Sequence, residues 1–474
     1  MRITVRNLGP LEQAEIDLKP LTILVGPNNV GKTWLAYTLA GILGNYGWTK
    51  YLDAYIDGKV SETYPMLDRL VQEILDNGNA VIDLVQFIEE EGEQYINHYA
   101  TFSKNWLQEY LCTERISFDN LEIQIKLEEA KQPLLEYIQQ TSGRDQLSVG
   151  RVTDRPLLEA LKQSGDRKVY FYTSENIAEK LPLRAVKGFV LDILFREILP
   201  ALHSNTRTFP AERTTFITLP FQGDASEKDR ATLLREEISA YETHSKSLSG
   251  PITSFFTMNF SLLRGSLSRR ETAAKKDPAI RRYMELAQML GENILGGNLD
   301  YSTPEPETNR EILFTSAAYK GAGFASVEIP AVSSMVKELS PLVLYLRYLA
   351  KPGELLVIDE PEMNLHPEAQ VKMMEFLAML VNAGLRVLIT THSPYMVDHV
   401  INLMEAYKHP EEEKDNLASL FFLERKEAFI AQDNVAVYLV DEGTVENILD
   451  EDGVIHWSTF SDVNRQVERI HLSL

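Results

Sequence analysis

The sequence predicts an α/β fold in which a largely parallel sheet is interrupted by helical insertions. Three observations predict it. An apolar strand runs into a Gly-rich loop and a helix within residues 1–45, a second apolar strand at Leu355 to Ile358 stops in two carboxylates, and strand and helix patterns alternate through the last third.

Taken in order, Ile3 and Val5 alternate with polar neighbours, as does Ala14-Glu15-Ile16-Asp17-Leu18, the mark of half-buried strands. Leu21 to Val25 is almost continuously apolar, as expected of a buried strand feeding a loop. Trp34, Leu35, Leu39, Ile42 and Leu43 then recur at helical spacing. Residues 46–204 read as a helical insertion, with amphipathic helices at Met66 to Ile74 and Leu181 to Leu202 and short alternating runs at Leu121 to Leu127 and Val169 to Tyr172. Residues 205–227 return to the sheet around Thr208-Phe209-Pro210-Ala211-Glu212-Arg213. A second helical insertion occupies 228–298 and ends in polar turns near Gly296-Gly297-Asn298 and Thr303-Pro304-Glu305-Pro306. Residues 299–474 complete the sheet-bearing part. Strands are expected at Glu311 to Phe314, Ser326 to Ile329, Leu355 to Ile358 and Leu385 to Thr390, with helices from Ser334 to Ala350 and Pro367 to Ala383. Short strands such as Val435 to Val440 and acidic turns follow, and Glu89-Glu90-Glu91 and Glu411-Glu412-Glu413 read as solvated faces.

Composition narrows the function classes. With 474 residues, 44% hydrophobic and 24% charged, the chain is a folded protein rather than a disordered or fibrous one. A net charge of −22 repels polyanions, so any nucleic-acid contact is local or borrowed from a partner. The single cysteine, Cys112, excludes an internal disulfide and a thiol zinc cluster. It fits a reducing compartment. The opening residues lack the apolar stretch of a secretion signal, and no window approaches the ~20 apolar residues of a membrane span. The expected location is the cytoplasm.

Gly26-Pro27-Asn28-Asn29-Val30-Gly31-Lys32-Thr33 fits the phosphate-binding pattern of Gly, four residues, Gly-Lys-Ser/Thr, with Trp34 next on the helix. Backbone N–H groups and the positive helix end of such a loop wrap a triphosphate. Lys32 would hold the outer phosphates and Thr33 would ligate Mg²⁺. The metal also needs a carboxylate at the end of a second buried strand, and Leu355-Leu356-Val357-Ile358-Asp359-Glu360 supplies one. Alternation along a strand sends Asp359 and Glu360 in different directions. Asp359 would hold Mg²⁺ while Glu360 orients and deprotonates the attacking water. His392, in Thr391-His392-Ser393-Pro394 beyond a third apolar strand, is placed to bond the terminal phosphate.

The order of phosphate loop, Asp359-Glu360-Pro361-Glu362-Met363-Asn364-Leu365-His366-Pro367 and Thr390-Thr391-His392-Ser393-Pro394 resembles the ABC-type ATPases of the OLD, RecF and SMC-like group. It is similar to the AAA-type ATPases that accompany bacterial anti-phage systems such as Septu and PARIS. The resemblance implies an ABC-type P-loop ATPase head with inserted helical arm segments, using ATP and Mg²⁺. It also implies self-association through heads that sandwich nucleotide and a separate effector protein, with a nuclease expected. Such heads complete their site with a Ser-Gly-rich helix start from the opposite subunit. Here that place is Ala331-Val332-Ser333-Ser334-Met335, so Ser333 and Ser334 are nucleotide-binding candidates, and Met335 in place of glycine implies slow hydrolysis. His366 stands where transporter-like cassettes carry aspartate. Pro210-Ala211-Glu212-Arg213 resembles a segment of these ATPases, leaving Glu212 or Arg213 near nucleotide or the dimer contact, or else in a structural salt bridge, and Gln222 is a weaker candidate for sensing Mg²⁺.

Arg264, Arg269, Arg270, Lys275, Lys276, Arg281 and Arg282 are crowded against only Glu271 and Asp277. They form the best candidate for a DNA phosphate contact or for docking an acidic partner, with a solvated helix face as the alternative. This leaves a second function open, a DNA-binding ATPase clamp in repair or chromosome maintenance. Asp450-Glu451-Asp452 before Gly453 reads as a surface turn rather than a metal site.

Overall fold

The computed structural model describes residues 1–126, 134–136, 138, 142–147, 157–173, 182–202, 205–218, 249–303, 310–317, 326–457 and 469–470. The chain forms two compact units. One comprises Met1–Leu8, Gly41–Gln108 and Ser117–Thr206, and the other Gly9–Ala40, Glu109–Ile116 and Arg207–Leu474.

The second unit holds the predicted sheet. Its strands lie in the order Leu11–Asp17, Thr444–Asn447, Val435–Asp441, Leu21–Val25, Arg386–Thr391, Leu355–Asp359 and Thr206–Phe209. The four from Val435–Asp441 to Leu355–Asp359 are mutually parallel. Leu21–Val25 and Leu355–Asp359 are buried at every residue, as strands covered on both faces are. Apolar side chains of the helices Pro367–Asn382 and Pro394–Lys408 pack into the same core, among them Met373, Phe376, Leu380, Val397 and Leu403. The register pairs Asp359 with Thr390 and Thr391 with Val25. Phosphate loop, acidic pair and His392 therefore leave the sheet at one carboxyl edge, where open α/β sheets bind ligands.

Two details differ from the sequence reading of this unit. Ile312–Ser316 and Val327–Glu328 do not join the main sheet but form a separate antiparallel sheet with Gly297–Tyr301. Their residues are mostly half-buried or exposed, unlike those of a doubly covered strand. Only Gly296, at φ 69°, is the turn, because the strand begins at Gly297. The tail beyond His392 is also more than short strands. Val435–Asp441 lies directly beside the phosphate-loop strand, after the helices Pro394–Lys408 and Glu411–Ala418.

The other unit contains the stretch read as a helical insertion. The helices Pro65–Asn77 and Leu183–Leu202 are present. With them comes an antiparallel sheet in the order Asn79–Asp83, Lys168–Thr173, Leu158–Lys162, Gly143–Leu147. Glu122–Lys126 pairs antiparallel with Arg2–Leu8. Glu91 is not solvated: it is buried, and its carboxylate accepts from Met66 N at 3.0 Å, satisfying a donor in the first turn of Pro65–Asn77. No described helix is long and apolar enough to cross a membrane.

Candidate nucleotide site

The loop from Gly26 to Lys32 is shaped by close backbone approach. Gly26 has φ 144°, and a Cβ there would fall 2.1 Å from the carbonyl oxygen of Val440. Gly31 has φ 107°, and a Cβ there would meet the Leu11 side chain at 2.9 Å. Asn29 takes the left-handed conformation at φ 65°. Gly9 lies against Trp34, whose ring a Cβ would meet at 2.6 Å, so the Gly9-Pro10 turn and the helix Lys32–Leu43 fit face to face. Pro27, Asn28 and Asn29 are exposed and Val30 half-buried, whereas Lys32 is buried. Its Nζ donates to the carbonyls of Gly26 at 2.9 Å and Pro27 at 2.6 Å. Burial lowers the Lys32 ammonium to about 8, against the opposing pull of Glu360, Asp359 and Glu362.

Across a sequence separation of 326 residues, the Thr33 hydroxyl donates to Asp359 at 3.1 Å from Oδ1 and 3.3 Å from Oδ2. Thr390 Oγ1 donates to the same carboxylate. Tyr37 OH donates to Asp359 Oδ2 at 3.0 Å. Sequence reasoning missed Tyr37, which stands one turn after Thr33 on the same helical face. A hydroxyl and a carboxylate at this spacing are the hard oxygen donors Mg²⁺ takes, the remaining positions going to water and phosphate oxygens. The glycine cradle and this donor pair both fit Mg²⁺-triphosphate. Among the described residues no group of three or more His, Cys, Asp or Glu is placed to hold a metal. Asp450 instead caps Val454 N and pairs with His456, as a surface turn.

Glu360 is half-exposed and points its carboxylate at His392, Oε1 to Nε2 3.6 Å. Burial, then Asp359 and Glu362, push its carboxyl above the usual range. Burial and Lys32 pull the His392 imidazole down, favouring its neutral form. The His392 N–H donates to Glu362 Oε1 at 2.6 Å. Glu362, also raised by burial, thus ties the histidine loop to the acidic loop. Ser393 Oγ donates to Gln370 at 2.6 Å, and Gln370 donates to the Leu365 carbonyl at 3.0 Å, a second tie between those loops.

The remaining candidates separate clearly. Arg213 is buried beneath the acidic pair, donating to the carbonyls of Asp359 and Glu360, and its salt bridge is with Glu338. Glu212 is exposed. Ser333 and Ser334 are exposed at the start of Ser334–Tyr348, Ser333 capping Val336 N, while Met335 packs on the core. His366 caps Pro367–Asn382 through Glu368 N. Gln222 lies outside the described residues. The basic cluster is not one surface: Arg270 is buried and donates to the Ala350 carbonyl at 2.6 Å, and Arg282 pairs with Glu285 and Glu427.

Two protein families match this chain. Residues 1–182 match "AAA ATPase domain", and residues 226–398 match "AAA domain, putative AbiEii toxin, Type IV TA system". No curated protein matches. Similar solved structures include an SMC head bound to the C-winged helix domain of ScpA, at 12% identity and TM-score 0.37 over 94% of this chain and 96% of that one. An SMC head with an extended coiled coil, bound to the C-terminal domain of ScpA derived from Pyrococcus furiosus, gives 12% and 0.35 over 99% and 98%. The SMC head domain from Thermotoga maritima gives 10% and 0.31 over 94% and 97%. TM-scores this low add nothing to the assignment. The phosphate loop falls in the first family match and the acidic strand and His392 in the second, and their side chains meet at one sheet edge. Both matches are to AAA ATPase domains, and the chain carries their nucleotide-binding loop of the P-loop type.

Proposed function

We propose that the protein binds and slowly hydrolyses ATP as a conformational switch. The observation that carries this reading is the Thr33–Asp359 contact, with Glu360 and His392 beside it. The Gly26–Lys32 loop cradles the phosphates, and Lys32 moves its charge from its own loop carbonyls to the outer phosphates. Thr33 and Asp359 would hold Mg²⁺, which neutralises phosphate charge when bound. Glu360, its carboxyl raised by burial and by the neighbouring Asp359 and Glu362, orients the attacking water and takes its proton. Neutral His392 donates to the terminal phosphate, and its contact with Glu360 registers whether that phosphate is present.

The switch reading adds a partner head. Ser333 and Ser334 lie exposed at a helix N-terminus and would face the nucleotide of a second copy, with Met335 slowing turnover. Nucleotide shifts such an equilibrium only through contacts that differ between the open and closed forms. A separate effector, a nuclease in a bacterial anti-phage system, is the partner that the resemblance in motif order supports. The second reading, a DNA clamp, is favoured by the exposed side chains of Arg264, Arg269, Lys275, Lys276 and Arg281.

Glu360→Gln tests the reading. Phosphate release should fall about 100-fold or more while MgATP still binds, and light scattering should show the ATP-loaded variant at twice its nucleotide-free mass. Unchanged phosphate release would remove Glu360 from the chemistry, and an unchanged mass would remove the partner head.

A further inference from the structure

Glu360 has φ 48°, a left-handed conformation that costs a residue other than glycine about 1 kcal/mol or more and persists only where neighbours impose it. Two groups hold it. The Glu360 N–H donates to Thr390, 3.1 Å from both its carbonyl and its hydroxyl oxygen. Arg213 holds the carbonyls on both sides of the same residue, Nη1 at 2.6 Å from Asp359 O and Nη2 at 3.0 Å from Glu360 O.

The guanidinium is itself held. Its side chain is 2% exposed, Nη1 also donates to Pro210 O at 3.0 Å, and Nη2 is paired with Glu338, whose side chain is fully buried. Asn364, left-handed at φ 60°, donates to the other Glu338 oxygen at 3.4 Å. A plain ion pair would need only Glu338. The rigid planar fork also spends donors on the two carbonyls that set the direction of the acidic pair. Glu338 stands little more than one turn along the helix Ser334–Tyr348, so a shift of that helix reaches the Glu360 peptide through two side chains.

We propose that Arg213 is a positioning residue for Glu360: its fork fixes the peptide that aims the carboxylate, and Glu338 fixes the fork. This rests on Glu360 acting as the base, as proposed above.

A double-mutant cycle tests it. Arg213→Lys keeps the charge, but one ammonium cannot span both carbonyls and Glu338. In the otherwise native chain it should lower kcat about 30-fold or more while MgATP affinity, read by fluorescent-nucleotide titration, changes less than about 3-fold. Added to Glu360→Gln, it should change the residual rate less than about 2-fold, because an aim without its carboxylate has nothing left to lose. Glu338→Gln keeps the side-chain volume and an acceptor oxygen, and should show the same pattern with a loss of about 5-fold. It carries the cycle if Arg213→Lys does not fold. Equal losses in the two backgrounds, or wild-type turnover in both Arg213→Lys and Glu338→Gln, would overturn the positioning role alone. Normal turnover by Glu360→Gln would overturn both the base and the residue proposed to aim it.

Discussion

The two units bury polar groups of different kinds. In the unit of the phosphate loop many of the buried polar groups are charged and held by named partners. Asp359 accepts from three hydroxyls, and Glu338 faces Arg213 and Asn364. Glu354 takes Arg207, Tyr345 OH and Lys351 N, while Glu375 takes His399 and two backbone N–H groups. In the unit of the long insertion the buried polar groups are largely phenols. Tyr51 packs edge-on to Tyr95 and Tyr99, its hydroxyl lies 2.5 Å from that of Tyr64, and Tyr64 reaches His98 at 3.2 Å. Burying an ionised group costs several kcal/mol unless every oxygen is bonded, whereas a neutral phenol is accommodated by packing and one hydrogen bond. The phosphate-loop unit buries several charges that named partners neutralise, whereas the other unit, with Glu91 and Lys162 as its buried charges among the described residues, gathers its phenols into one cluster.

Paired glycine substitutions would break that comparison most sharply. Gly26→Ala sets a methyl against Val440 O and strains φ, so stability should fall by about 3 kcal/mol and ATP affinity by more than about 100-fold. Gly47→Ala sets a methyl 2.6 Å from the Trp106 ring and 2.7 Å from Gly41 O. It should cost about 2–3 kcal/mol in thermal unfolding while ATP affinity stays within about 2-fold. Impaired nucleotide binding in Gly47→Ala would show that the tyrosine-rich core serves the site.

Much of this division was legible in the sequence. The phosphate loop, Asp359-Glu360 and His392 are local strings at the ends of apolar runs, and the sheet brings them together as read. Arg213 was named with a structural salt bridge as one of its readings, but its partner Glu338 was not legible, because packing across the chain chooses it. Tyr37 hid among apolar helix residues, and its spacing four after Thr33 was the available signal. Arg270 and Glu91 looked solvated because composition counts charges without locating them. The central place of Val435–Asp441 was signalled by its apolar run, whose length resembles an edge strand as readily as a doubly covered one.

Alkaline titration should give a smaller effect. Burial raises Tyr51 and Tyr64 well above the ordinary phenol value and Tyr55 to about 12. The folded state therefore holds these protons after the unfolded chain, titrating near 10, has released them. Their stabilisation is complete below about pH 10 and is lost as pH rises towards about 12. Unfolding temperature should hold from about pH 7 to 9 and then fall, with tyrosinate absorbance rising only on unfolding. Tyr64→Phe removes one such group and its two hydrogen bonds. It should start about 1–2 kcal/mol less stable and lose less on the way to pH 12, with ATP affinity unchanged. Tyrosinate absorbance that rises before unfolding would show the phenols to be open to water.

The smallest effect expected is at the basic stretch, where buried and exposed charges alternate along one segment. Arg270 donates to Ala350 O from a buried position, so Arg270→Ala should cost about 1–3 kcal/mol and leave any DNA binding as it was. Lys275 and Lys276 are exposed, and Lys275→Gln with Lys276→Gln should move stability less than about 0.5 kcal/mol. If the protein is a clamp, the pair should flatten the dependence of log K on log salt by about 1 for each DNA phosphate that the lysines no longer neutralise. If the protein is a switch acting through an effector, DNA affinity is weak at every salt concentration and the pair leaves it so. The salt slope therefore decides between the two functions, because either lysine can be neutralised without disturbing the fold that holds Arg270.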